Sequence, residues 1–205
     1  MNRKLALAAG AATLLAATAA LAQNAPDYTL EPTFGATELI AGFEPDPHRV
    51  DLVAGGDIDA GTANLATGCA GFIAAAPDYR VQYTPGEYML SFAVASAAGA
   101  DTTLVINGPD GAWYCDDDSW GELSPLVSFD QPLAGQYDVW IGVYGAAAST
   151  AEATLFLSEG DPATFPTPTE ALTAAPAAPA TPEPTPAPTP APAPEPAPAT
   201  PVVKP

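Results

Sequence analysis

Tyr88-Met89-Leu90-Ser91-Phe92-Ala93-Val94 is the stretch that decides the fold. Tyr88, Leu90, Phe92 and Val94 share one face, and Met89, Ser91 and Ala93 share the other. Strict alternation of this kind puts every second side chain on a buried surface, which is the period of a β-strand and not of a helix.

The same period recurs downstream. In Gln136–Tyr144, Tyr137, Val139, Ile141 and Val143 oppose Gln136, Asp138, Trp140, Gly142 and Tyr144. In Ala151–Glu159, Ala153, Leu155 and Leu157 oppose Glu152, Thr154, Phe156 and Ser158. These read as half-buried antiparallel strands with one face on a core. Further strands are predicted near residues 28–31, 37–40, 49–53, 71–74, 79–83, 102–107, 112–115 and 126–129. Breakers separate them, among them Glu44-Pro45-Asp46-Pro47, Thr84-Pro85-Gly86 and Asn107-Gly108-Pro109-Asp110-Gly111. Short strands between turn signals predict an all-β chain, a single antiparallel β-sandwich or jelly-roll-like domain. No window after the first 22 residues has helical periodicity. Two readings are open for aromatic residues off the apolar faces: they cover an edge or loop, or they form an exposed ligand face. Trp113, Trp120, Trp140 and Tyr144 are the candidates for the second.

The ends of the chain differ from this middle. Arg3 and Lys4 precede an apolar run from Leu5 to Leu21, which closes on Ala20-Leu21-Ala22. A basic start, an apolar stretch and an A-x-A end predict a signal peptide over residues 1–22, cleaved after Ala22. The run is short for a bilayer span, so no stable membrane insertion is expected after cleavage. The expected address is periplasmic or extracellular. From residue 160 the chain turns to Pro, Ala and Thr. Residues 160–205 are expected to form a disordered, polyproline-II-like tail, because so few apolar side chains cannot offset the entropy of ordering. Residues 23–159 are the expected domain, a usual size for one core.

Cleavage would leave Arg49, Arg80 and Lys204 against 24 acidic residues, a formal charge of −21. Nucleic-acid binding needs Lys and Arg to neutralise phosphates, so that class is excluded. Cys69 and Cys115 are the two cysteines. In an exported chain the default is a disulfide between them. The one histidine, His48, lies in a turn-like stretch with no G-x-S-x-G elsewhere, so no catalytic constellation is read.

The acidic cluster carries more chemistry. If Asn107–Gly111 turns a hairpin, Val105 falls opposite Trp113 and Asp101 opposite Asp117, with Asp116 and Asp118 alongside. Like charges facing one another on a sheet repel. A counter-cation would relieve them, and an all-oxygen set suits Ca²⁺, although the spacing is not that of an EF-hand. The other reading is a solvated loop whose carboxylates cap backbone N–H groups.

Several stretches together resemble one family. They are Gly68-Cys69-Ala70-Gly71-Phe72-Ile73, Asp101-Thr102-Thr103-Leu104, Gly108-Pro109-Asp110-Gly111, Trp113-Tyr114-Cys115-Asp116-Asp117-Asp118 and Gly135-Gln136-Tyr137-Asp138-Val139-Trp140-Ile141. Over residues 28–159 the chain resembles the bacterial pre-peptidase C-terminal domain family. The resemblance implies a β-sandwich of a kind commonly appended to secreted proteases, some members binding calcium or polymeric substrates. Here it stands without a protease.

Function therefore reads as a non-catalytic exported binding or accessory module of the cell envelope, with calcium as the one cofactor considered and an envelope protein or polymer as partner. The alternatives are a structural envelope protein whose tail acts as a spacer, or an accessory of a secreted hydrolase or peptidase. An exposed aromatic beside the acidic loop would favour the binding module.

Overall fold

The computed structural model describes residues 25–174. The signal-peptide expectation and most of the tail lie outside the described residues. The strands are β1 (Ala36–Ile40), β2 (His48–Gly55), β3 (Ile58–Asp59), β4 (Phe72–Ile73), β5 (Tyr79–Thr84), β6 (Leu90–Ala95), β7 (Thr102–Asn107), β8 (Trp113–Asp116), β9 (Leu126–Phe129), β10 (Gly135–Val143) and β11 (Thr150–Ser158). They form two sheets, as the all-β reading expects. In the first, β10 is central: it pairs with β5 and β4, and with β7, while β1 extends β5, β3 extends β4 and β8 extends β7. The second runs β2-β11-β6-β9.

The inward faces are those the alternation marks, except at Tyr88, which precedes β6 and is exposed. Leu90, Phe92 and Val94 of β6 and Leu155 and Leu157 of β11 meet Val81, Tyr83, Ile106, Tyr137, Val139 and Ile141 from the first sheet in one cluster. Phe92 anchors it, with its ring 5.6 Å from Tyr137 and 6.0 Å from Phe129.

Four expectations need correction. First, β6 and most of β10 and β11 are buried on both faces, not half-buried. Behind the first sheet, residues between β3 and β4 cover Trp140, Val105 and Ile73. That cover lies close: a Cβ on Gly142 would meet Thr103 Oγ1 at 2.3 Å, and one on Gly71, at φ +77°, would meet the same atom at 2.4 Å. Cys69 and Cys115 are bonded, with Cα atoms 4.9 Å apart, pinning this covering segment to β8.

Second, β1 pairs with β5 in parallel, so the sandwich is not wholly antiparallel. Third, residues 28–31 form turns rather than a strand, because the carbonyls of Tyr28 and Leu30 accept from the Arg80 guanidinium at 2.7 and 2.9 Å instead of entering a ladder. β3 has no counterpart among the expected strands.

Fourth, order does not stop at Glu159. A 3-10 turn at Pro162–Thr164 leads into helix α1 (Pro168–Thr173). Pro at its first turn and the reciprocal bonds of Thr167 and Glu170 start the helix. Its Ala171 packs on Ala93, Ala95 and Phe156, covering the outer face of the second sheet.

Candidate functional site

β7 and β8 carry the acidic cluster at their far ends. Asn107 pairs with Trp113, Val105 with Cys115 and Leu104 with Asp116. The register is two residues from the expected one, since Gly108–Ala112 make the turn and Asn107 still belongs to the ladder. A slip of two keeps every side chain on its expected face, while changing which carboxylates meet.

Asp101, Asp117 and Asp118 converge, each offering a carboxylate oxygen within 4.8 Å of the others. One oxygen of Asp101 and one of Asp117 are shielded from solvent without a hydrogen-bond partner in the protein. Burial, then the charge of Asp118, pushes the Asp101 carboxyl above its ordinary value. Burial, then Asp118, Asp101 and Asp116, does the same to Asp117. Both groups thus sit where negative charge is disfavoured unless a positive charge joins them. Three hard oxygen donors of this kind can hold a cation such as Ca²⁺.

Asp116 is placed differently. Its Oδ2 accepts from Ser119 N at 2.9 Å, Ser119 Oγ at 2.7 Å and Leu126 N at 2.9 Å. That carboxylate oxygen ties together the two ends of the loop between β8 and β9, a capping role, and Asp116 is not among the three aspartates whose oxygens converge.

The same loop is tightly wound. Gly121, Glu122 and Leu123 have φ of +89°, +55° and +61°. Left-handed backbone at two non-glycine residues costs roughly 1–2 kcal/mol each. The conformation is held by Thr102 N donating to Leu123 O and Trp120 N donating to Ser124 O. On the other flank Tyr144 N donates to Asp101 O at 2.9 Å. Leu123 and Tyr144, 47% and 55% exposed, therefore stand on either side of the backbone at Asp101 and Thr102.

The aromatic ligand-face residues separate. Trp140 is fully buried, so it presents no face to a ligand. Trp113 is half-buried with its ring 5.4 Å from that of Trp140, part of the same covered cluster. Trp120 lies half-buried between Phe156 and Phe165. Of the four, Tyr144 is the exposed one.

His48 donates to or accepts from the Tyr79 hydroxyl at 3.2 Å, and burial holds its pKa below the ordinary value. Periodicity gave no sign of two buried charged groups. Asp78 lies beneath β10, its Oδ2 accepting from Ile141 N at 2.6 Å, with burial pushing its pKa up to about 7. Asp138 accepts from Arg80 Nε at 2.6 Å across β5 and β10, and from Gln136 Nε2 at 2.7 Å.

No family model matches the chain. No curated protein matches it either. Among solved structures, a periplasmic lysozyme inhibitor of g-type lysozyme from Aeromonas hydrophila aligns with 60% of this chain and 96% of its own, at 14% identity and a TM-score of 0.29. At that score the likeness bears on neither fold nor function.

Proposed function

We propose that this protein is an exported, non-catalytic binding module of the cell envelope, stabilised by calcium, which engages an envelope polymer or protein through Tyr144 and Leu123 beside the acidic cluster. The observation that carries the reading is the convergence of Asp101, Asp117 and Asp118 with two shielded oxygens that nothing in the protein satisfies. Uncompensated buried carboxylate is costly, and a divalent cation offsets both the repulsion and the lost hydration. Calcium would neutralise the cluster and hold the ends of β7 and β8 together, keeping the loop that carries Leu123 in its left-handed conformation.

Export is supported by Arg3, Lys4, the apolar run and Ala20-Leu21-Ala22, together with a disulfide that suits an oxidising compartment. The resemblance of Asp101–Gly111 and Asp116–Asp118 to pre-peptidase C-terminal domains supports the same reading. The exposed pair Tyr144 and Leu123 favours recognition over a purely structural part in the envelope.

Thermal melts in millimolar calcium, in millimolar magnesium and in chelator test the cation. Calcium at a hundredfold excess over Kd would add about 2.7 kcal/mol, a rise of several degrees. Magnesium should do less, since it demands tighter octahedral geometry. Superimposable melts in calcium and chelator would remove the site. Recognition is tested by retention on purified envelope polymer with and without calcium, which Tyr144→Ala should abolish.

A further inference from the structure

One end of the sandwich carries an apolar surface inside an acidic rim. Leu123 and Tyr144 stand there with two loops of small residues. Ala97-Ala98-Gly99-Ala100 leads into Asp101, and Gly145-Ala146-Ala147-Ala148 follows Tyr144. Ala97, Ala98, Gly99 and residues 145–148 are exposed. Main-chain bonds hold these parts together. Tyr144 N donates to Asp101 O at 2.9 Å, Thr102 N to Leu123 O at 3.2 Å and Ala148 N to Gly56 O at 2.9 Å. The last bond brings the exposed Asp57 to the same end, where Asp101, Asp117 and Asp118 already converge. Side chains as short as alanine leave Leu123 and Tyr144 as the projecting apolar groups.

The charge around the patch has one sign. Residues 25–174 hold 22 acidic side chains against two arginines and no lysine. Both arginines are engaged elsewhere. Arg80 is held by Asp138 at 2.6 Å and by the carbonyls of Tyr28 and Leu30. Arg49 is held by the carbonyls of Leu172 and Ala174, near the start of β2 and away from its Gly55 end. His48 lies at that same start, and burial holds its pKa below the ordinary value. Among the described residues, therefore, no cation faces the patch. A calcium ion at the cluster would offset part of this charge and leave its sign unchanged.

An apolar centre inside a polar rim is the anatomy of a protein interface. Like charges brought together at such a rim oppose association, so a polymer bearing phosphate or carboxylate is repelled here. We infer that this end of the molecule binds a basic protein, one that sets Lys or Arg against Asp57 and Asp118 and an apolar centre against Tyr144 and Leu123; this rests on Tyr144 and Leu123 being the recognition residues proposed above. Attraction between the charges speeds encounter, and the apolar centre holds the complex.

The test titrates the protein, in calcium and in chelator, with synthetic peptides in which Lys alternates with Leu or Phe, and with the same peptides carrying Glu in place of Lys. Purified neutral and anionic polysaccharides are the polymer probes. Saturable amide shifts centred on Leu123, Tyr144 and Asp57 are expected with the lysine peptides alone. Asp57→Lys should weaken binding about tenfold, and raising the salt to about 0.5 M should slow association by a similar factor. Tyr144→Ala should weaken binding several-fold by removing the apolar anchor. Glu87 is exposed in the β5–β6 loop, at the opposite end of β6 from the patch. Glu87→Lys makes the same charge change there and should leave affinity within about twofold, because salt screens charges that far apart. Equal losses from Asp57→Lys and Glu87→Lys, with none from Tyr144→Ala, would mean unspecific attraction to an acidic body and overturn the proposal. So would the absence of saturable shifts with the lysine peptides. Polysaccharide retained through Tyr144 without lysine-peptide binding overturns the basic partner and leaves Tyr144 a recognition residue. Lysine-peptide binding at Tyr144 that persists in chelator, in a chain whose melt ignores calcium, supports the surface and removes only the cation.

Discussion

Trp120 donates its indole N–H to the main-chain oxygen of Pro166, 46 residues further along, and thereby joins the β8–β9 loop to the segment that follows the last strand. That contact, with Ala171 buried on Ala93 and Phe156, makes residues 161–174 part of the folded body.

A chain ending at Gly160 should therefore melt below one ending at Ala174. Burial of Pro168 and Ala171 with the partial burial of Phe165 and Leu172 contributes on the order of 2 kcal/mol. The gap should be roughly 4–8 °C in paired thermal melts. Equal melting temperatures would mean that the segment contributes nothing.

The disulfide should matter more. Joining Cys69 to Cys115 over 46 residues stabilises by about 4 kcal/mol in the chain-entropy model. Cys69→Ser with Cys115→Ser should lower the denaturant midpoint accordingly. It should also loosen the cover over Trp140, read as a red shift of tryptophan emission before global unfolding.

The carboxylates of the β8 end should behave in two ways. Asp101→Asn with Asp117→Asn should raise stability in chelator, by relieving repulsion, and remove any gain from calcium. Asp116→Ala should lower stability by about 1–3 kcal/mol in both conditions, because Ser119 and Leu126 lose their acceptor. Matching melts for the two variants, with and without calcium, would contradict the division of roles.

Asp78 sets a pH dependence. Its folded pKa is pushed up to about 7 from an ordinary 3.8, so the folded state holds the proton more tightly than the unfolded chain. The stabilising effect is full below about pH 4 and is lost as pH rises through about 7. Burial shifts Asp101 and Asp117 in the same direction. Metal-free protein should have a higher urea midpoint at pH 5 than at pH 8. Asp78→Asn, which can keep the bond from Ile141 N, should flatten most of that difference, on the order of 3 kcal/mol at most between these two pH values. A midpoint that rises from pH 5 to pH 8 would run against this assignment.

Much of the fold is legible in local sequence. Leu90-Ser91-Phe92-Ala93-Val94 and Tyr137–Val143 announce their inward faces because side-chain direction in a strand depends only on odd and even position. Proline and glycine mark the turns for equally local reasons. The pairing of Cys69 with Cys115 needs only their number and an oxidising address. What period 2 does not encode is the covering of the other face. Trp140 and Phe156 lie opposite the core, and whether they meet solvent depends on chain 70 residues earlier in one case and 15 later in the other.

The acidic site divides in the same way. Four aspartates near two strand ends are plain in the sequence, but which three converge depends on whether the hairpin turns at Asn107 or one residue later. A shift of two along a ladder leaves the hydrophobic pattern unchanged, so composition and alternation are blind to it. Tertiary structure alone decided that Asp116 bonds the loop while Asp101, Asp117 and Asp118 face one another. It decided likewise that Arg49 and Trp120 grip the segment after β11, because those contacts join residues far apart in the chain through main-chain atoms, which every residue carries and no sequence pattern distinguishes.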